Sequence, residues 1–188
     1  MADRTEIRLT GFGGQGIVLA GVILARAAGV YDGREVAQTQ SYGAESRGGA
    51  CVADVIIGNA RIDYPICTAP EILVAMSAEA AAKHIPGMQA GGILMIDEDM
   101  VPKPPAGAYA RLVKVPATRV AQELNARVVA NVVMLGALVA VAPVVSREAV
   151  ERAVQASAPA GTTELNLQAL RRGFALGEAA QANHGGSV

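Results

Sequence analysis

The run Gly11-Phe12-Gly13-Gly14-Gln15-Gly16 meets the spacing G-x-G-x-x-G through Gly11, Gly13 and Gly16, and a second glycine run, SYGAESRGG, occupies residues 41–49. Both have the chemistry to hold an anion. In the first, glycines permit a tight turn and close backbone approach, and the helix expected to follow offers a phosphate N–H groups that have no intrahelical acceptor. In the second, Ser41, Tyr42, Gly43, Glu45, Arg47, Gly48 and Gly49 gather a hydroxyl, a phenol, a carboxylate, a guanidinium and three glycines. Arg47 can present a planar fork to a carboxylate or phosphate, with backbone donors beside it. Glu45 can orient that arginine or cap the loop. A surface Glu45–Arg47 pair on a turn is the plain alternative, but so many glycines favour a ligand or a subunit edge.

A dinucleotide site needs one more residue, an acid at the end of the second strand, about 20 positions on, to hold the ribose hydroxyls. Here that strand ends in Gln-Thr-Gln-Ser-Tyr; Glu35 stands at its start and Asp32 in the preceding turn. Three uses of the first loop stay open: a nicotinamide or flavin nucleotide, another phosphate-bearing ligand, or close packing of strand, helix and a neighbouring subunit. Other chemistry is sparse. His84, before Pro86, is placed to cap the last carbonyls of a helix, and His184 lies in the terminal tail. Neither has a carboxylate, Ser or Cys neighbour that makes a nucleophile–base pair, so no catalytic residue is assigned. Arg61, Asp63 and Tyr64 read as a solvated strand edge.

The elements that must position these loops alternate. Residues 6–10 read as a strand, 17–28 as a helix with Arg26 its only charge, 35–42 as a strand and 50–57 as a β-rich run. Gly58-Asn59 suggests a hairpin onto residues 61–64. Short strands follow at 72–76, 93–96 and 110–115, with a helix at 78–84; from Ala117 onward helices are expected at 117–124, 128–142, 147–156 and 167–182. The expectation is an α/β fold: a mainly parallel sheet flanked by helices, a Rossmann-like glycine turn after the first strand and a helical C-terminal part. One domain is expected over residues 1–188, with a sheet region at 6–116, a helical region at 117–182 and a frayed tail at 183–188.

Composition narrows the partners. A net charge of −1 lacks the basic footprint that nucleic-acid binding requires. Hydrophobic residues reach 52% against 18% charged, so much apolar surface must lie inside the fold or against other chains, as in an obligate subunit. The apolar run 128–145 contains Asn131, Gly136 and Pro143 and is flanked by Arg127 and Arg147, so it reads as a buried or interface helix rather than a membrane span. The first residues lack the apolar core of a signal peptide, which points to the cytoplasm. Cys51 and Cys67 are the only cysteines, too few for a four-thiolate iron–sulfur cluster or structural zinc. A buried reduced thiol is the ordinary reading of Cys51.

GFGGQG and SYGAESRGG in this order, with NVVMLGAL at 131–138 and NLQALRRGFALG at 166–177, resemble the gamma subunit or gamma domain of the 2-oxoacid:ferredoxin (acceptor) oxidoreductases, whose substrates include pyruvate, 2-oxoglutarate, branched-chain 2-oxoacids, indolepyruvate and phenylglyoxylate. The resemblance covers residues 7–176. It implies a hetero-oligomer that oxidatively decarboxylates a 2-oxoacid, joins the acyl group to coenzyme A and passes electrons to ferredoxin or to a flavin or NAD subunit. It also implies alpha, beta and ferredoxin-like delta partners carrying thiamine diphosphate, Mg and [4Fe–4S] clusters. This chain has neither the GDG…NN signature of thiamine-diphosphate sites nor the cysteines for clusters, so none of these cofactors is expected on it alone. The glycine loops and Arg47 are its best anion-binding elements, and coenzyme A carries several phosphates; contact with that cosubstrate and a purely architectural role are the two open readings.

Overall fold

The computed structural model describes residues 4–42 and 50–185. In chain order these form β1 (Arg4–Phe12), α1 (Ile17–Arg26), β2 (Glu35–Tyr42), β3 (Ala50–Gly58), β4 (Ile72–Ala75), α2 (Ala78–His84), β5 (Ile93–Asp97), β6 (Arg111–Val115), α3 (Ala117–Glu123), α4 (Ala130–Val141), α5 (Arg147–Ser157) and α6 (Thr163–Gly185). One six-stranded sheet has the order β2-β3-β1-β4-β5-β6. β1, β4, β5 and β6 run parallel, and β3 pairs antiparallel with both β1 and β2. β3 alone therefore points the other way, and the expected mainly parallel sheet is found.

Local signals start the helices. Ser77 and Ser146 accept the backbone N–H of Ala80 and Ala149 at 3.3 and 3.1 Å, capping α2 and α5. Glu79 and Glu148 sit in the first turns, where the helix dipole favours an acid. α1 instead begins at Gly16 in a left-handed conformation, with no side-chain cap, and passes beyond Arg26 into a π-helical turn, Ala27–Tyr31.

The antiparallel portion does not come from a hairpin at Gly58. β3 already has a neighbour on each edge, so residues 61–64 have no free edge to join, and Arg61, Asp63 and Tyr64 lie in an irregular segment. That segment is held by three charged side chains of β1: Arg4 donates Nη1 to the Tyr64 carbonyl at 3.0 Å, and Arg8 and Glu6 hold the residues that follow. Arg8 grips its register partner Asp54 through Nε at 2.7 Å and Nη2 at 2.8 Å, and also donates to the Cys67 carbonyl. Glu6 accepts the N–H groups of Thr68 and Ala69 at 2.9 and 3.2 Å.

One sheet face packs on α1, α4 and their neighbours, the other on α2. α4 is apolar on every face except at Asn131 and lies inside the fold. Gly136 of α4 and Gly173 of α6 meet backbone to backbone: a Cβ on either would strike the carbonyl of Leu170 or Val133. Gln181 donates to the carbonyls of Ala140 and Val141 at 2.7 and 3.0 Å, tying the end of α6 to the end of α4. α6 ends at Gly185, and residues 186–188 lie outside the described residues. Among the described residues no helix is long and apolar enough to cross a membrane.

Candidate functional site

The glycine turn stands at the carboxyl end of β1, with Gly14 and Gly16 at φ +97° and +72°, values that side chains other than glycine rarely adopt. Gln15 folds back into the turn: its Oε1 accepts the Phe12 N–H at 2.8 Å, and its Nε2 donates to the Met76 carbonyl at 2.7 Å, just beyond β4. Gly11 leaves the room that this side chain fills. Behind the turn, Asn131 donates Nδ2 to the Gly16 carbonyl at 2.9 Å while its Oδ1 accepts the Val132 N–H at 2.9 Å. A Cβ on Gly16 would overlap the Asn131 amide. Asn131 is 3% exposed. It was legible only as the polar exception in an apolar run, not as a site residue.

At the start of α1 the first-turn N–H groups have no intrahelical acceptor. That of Val18 reaches the Cys51 sulfur, whose pKa burial raises above the ordinary thiol value despite this contact. Cys51 is thus a protonated thiol at the root of the turn.

The second glycine run enters from the same end. Tyr42 and Gly11 both register with Cys51, and Phe12 registers with Ala50. Ser41 and Tyr42 end β2, and residues 43–49, with Gly43, Glu45, Arg47, Gly48 and Gly49, lie outside the described residues. Both stems lie on the β3 side of Gly11, the residue that opens the glycine turn, with Cys51 between Gly11 and Tyr42.

A cleft of about 220 Å³ opens between the turn and the next elements, lined by Phe12, Gln15, Met76, Met100, Thr118 and Arg127 among others. It lies beyond the carboxyl ends of β1, β4 and β5, where parallel sheets bind ligands. Phe12 and Val128, 37% and 77% exposed, put apolar surface at its rim. Arg127 is exposed and forms no ion pair among the described residues. Thr118 is fixed from below: Asp97, fully buried, accepts its N–H at 3.0 Å and its Oγ1–H at 2.5 Å. Burial raises the Asp97 pKa, against the pull of those hydrogen bonds. The cleft thus offers one exposed cation, a helix start and a short apolar wall, an arrangement suited to an anion with an aliphatic portion.

Dinucleotide geometry is missing. In a Rossmann unit the strand after the first helix lies beside the first strand; here β3 stands between β1 and β2. His84 caps no carbonyl. Its helix continues into a 3-10 turn in which the Ile85 N–H takes the Ala81 carbonyl, and the buried His84 Nε2 has no partner among the described residues. Burial, then the nearby Arg8, lowers its pKa. Cys67 is buried on the face opposite α1, its thiol pushed up to about 12, first by burial and then by Asp54. Among the described residues no three His, Cys, Asp or Glu side chains are grouped to hold a metal.

Residues 6–176 match the family model described as pyruvate ferredoxin/flavodoxin oxidoreductase. The chain belongs to this family. It is 48% identical to the 2-oxoglutarate synthase subunit KorC of Methanocaldococcus jannaschii over 91% of this chain and 92% of that one. Pyruvate synthase subunit PorC of Thermotoga maritima is 32% identical, over 90% and 92%. The gamma subunit of a keto/oxoacid ferredoxin oxidoreductase from Geobacter sulfurreducens superposes with a TM-score of 0.84 at 42% identity, covering 94% of this chain and 99% of that one. The chain is a gamma subunit of a multi-subunit 2-oxoacid:ferredoxin oxidoreductase.

Proposed function

We propose that this gamma subunit serves an enzyme that oxidatively decarboxylates 2-oxoglutarate to succinyl-CoA, and that its glycine-turn end holds the phosphates of coenzyme A. The substrate rests on kinship: identity to the 2-oxoglutarate synthase relative is 48%, and to the pyruvate synthase relative 32%. The coenzyme A contact rests on one observation, the convergence of the turn, the stems of the 43–49 loop and Arg127 at a single end of the sheet.

On this reading the decarboxylation and electron transfer belong to alpha, beta and ferredoxin-like delta subunits, which carry thiamine diphosphate with Mg and the [4Fe–4S] clusters; ferredoxin or a flavin or NAD subunit takes the electrons. Both cysteines of this chain are free and buried, and among the described residues no three His, Cys, Asp or Glu side chains are grouped to hold a metal. Its own work is positional. Arg47 and Arg127 neutralise phosphate charge, the start of α1 adds N–H donors, and the Phe12 and Met76 wall receives the aliphatic arm, so that the thiol arrives oriented at the acyl group. Gln15 and Asn131 hold the turn rigid, which lowers the ordering cost of binding.

The test is to tag the chain in its native host, purify without oxygen, identify co-purifying subunits by native mass spectrometry, and assay coenzyme-A-dependent viologen reduction with a panel of 2-oxoacids. Cysteine-rich and thiamine-binding partners with 2-oxoglutarate as best substrate support the reading. A complex that prefers pyruvate overturns the substrate assignment.

A further inference from the structure

At the opposite end of the sheet lies a second concavity that the proposed coenzyme A contact does not use. It measures about 860 Å³, is open to solvent, and has Ile72 and Ile93 in its floor and Ala142 to Val144 in its wall. Arg34 and Glu71 both line it. They form no ion pair with each other or with any other described residue. Arg34 donates Nη1 to the Val144 carbonyl at 2.8 Å, and its buried Nε has no partner among the described residues. Glu71 is half-buried, and the charged neighbour that weighs on it is another acid, Glu6; burial first and the Glu6 charge second raise its pKa, against the pull of a hydrogen bond from the Glu6 backbone.

The backbone beneath both groups is fixed. The Glu71 backbone is pinned between strands, its N–H on the Glu6 carbonyl at 2.9 Å and its carbonyl accepting the Ile93 N–H at 2.8 Å. The Arg34 side is stapled by Asp32, which accepts the Ser146 N–H at 2.7 Å and its hydroxyl at 2.6 Å. The groove thus has a fixed backbone frame, and it carries a cation and a carboxylate that lack counterions among the described residues. Partly desolvated charges left unpaired are costly, and opposite charges brought by another molecule remove that cost.

We propose that this groove receives a polypeptide segment of a partner subunit, which brings a carboxylate to Arg34 and a cationic side chain to Glu71. Charge complementarity sets the side chains; the amides of Asn59 and Gln89, also in the lining, suit the backbone of an extended segment. An open groove lets a chain enter and leave, whereas small-molecule sites enclose most of their ligand. The inference rests on membership of a multi-subunit complex but not on the coenzyme A reading, since the two sites lie at opposite ends of the sheet.

The experiment replaces the chain in the whole complex with Arg34→Glu, Arg34→Lys, Glu71→Lys and Glu71→Gln variants. Retention is read by native mass spectrometry at rising salt, and the melting of each isolated chain reports folding. Reversing either charge is expected to weaken retention about tenfold, with Arg34→Lys within about twofold of wild type. Glu71→Gln keeps the shape and removes only the charge, so its folded chain is expected to dissociate at lower salt even if Glu71→Lys fails to fold. Folded Arg34→Glu and Glu71→Gln chains retained as firmly as wild type overturn the inference and leave the subunit assignment standing. A wild-type chain that assembles with no partner contradicts that assignment and this inference together.

Discussion

Asn131, in the first turn of α4, donates its amide to the carbonyl of Gly16, the residue that opens α1, at 2.9 Å across 115 positions of sequence. The hydrogen bond ties the apolar central helix to the glycine turn. It depends on Gly16 lacking a Cβ, since any side chain there would overlap the Asn131 amide. Asn131→Ala is expected to lower stability by about 1–3 kcal/mol, by removing its hydrogen bonds and leaving a space behind. Gly16→Ala combines a left-handed backbone, costing about 1–2 kcal/mol, with that overlap. Because Asn131→Ala relieves the overlap, the double variant is expected to lose less than the sum of the single losses by about 0.5 kcal/mol or more, measured by urea unfolding. Strict additivity contradicts the coupling of the two residues.

The α4–α6 crossing is tested by alanine at Gly136 or Gly173. Each added methyl meets backbone rather than a side chain that can turn away, so the helices must move apart. A loss of about 2 kcal/mol or more is expected for either. Gly87→Ala, where a Cβ meets nothing within 4 Å, serves as the control and is expected to fall within about 0.5 kcal/mol of wild type. Equal melting temperatures for all three contradict the packing.

Cys67 makes an alkaline prediction. Its pKa is raised from 9.0 to about 12, so the folded state holds the thiol proton more tightly than the unfolded chain. The contribution is fully present below pH 9.0 and is lost as pH rises toward about 12. Stability of the wild type should fall across that window, and Cys67→Ser should flatten the slope. Chemical labelling adds a check: Cys67 should resist thiol reagents at about pH 8 until the chain unfolds, because the protonated, buried sulfur is a poor nucleophile. Rapid labelling of the folded chain contradicts its placement.

Much of this was legible in sequence. The strand at 72–76, the helix at 78–84 and the glycine turn stand within a residue or two of where hydrophobic runs and caps place them, because local signals fix short elements. The order of the strands was not. Nothing local tells β3 to enter between β1 and β2, and the Gly58-Asn59 turn signal is overridden because no sheet edge remains beside it. Likewise Asn131 gives no sign of its partner, since their meeting is set by tertiary packing of distant segments. Gln15 falls inside the motif, but only geometry shows its amide turned inward to Phe12 and Met76.

The central claim is that the carboxyl end of the sheet contacts coenzyme A. The most direct measurement is the apparent KM for coenzyme A of the intact complex carrying Arg47→Ala or Arg127→Ala, with 2-oxoglutarate saturating and assembly verified by native mass spectrometry. The account predicts KM raised about tenfold, the effect of removing one charge-assisted hydrogen bond to phosphate, with kcat nearly unchanged. An unchanged KM in both variants, in complexes of normal composition, contradicts it and leaves the glycine loops as architecture alone.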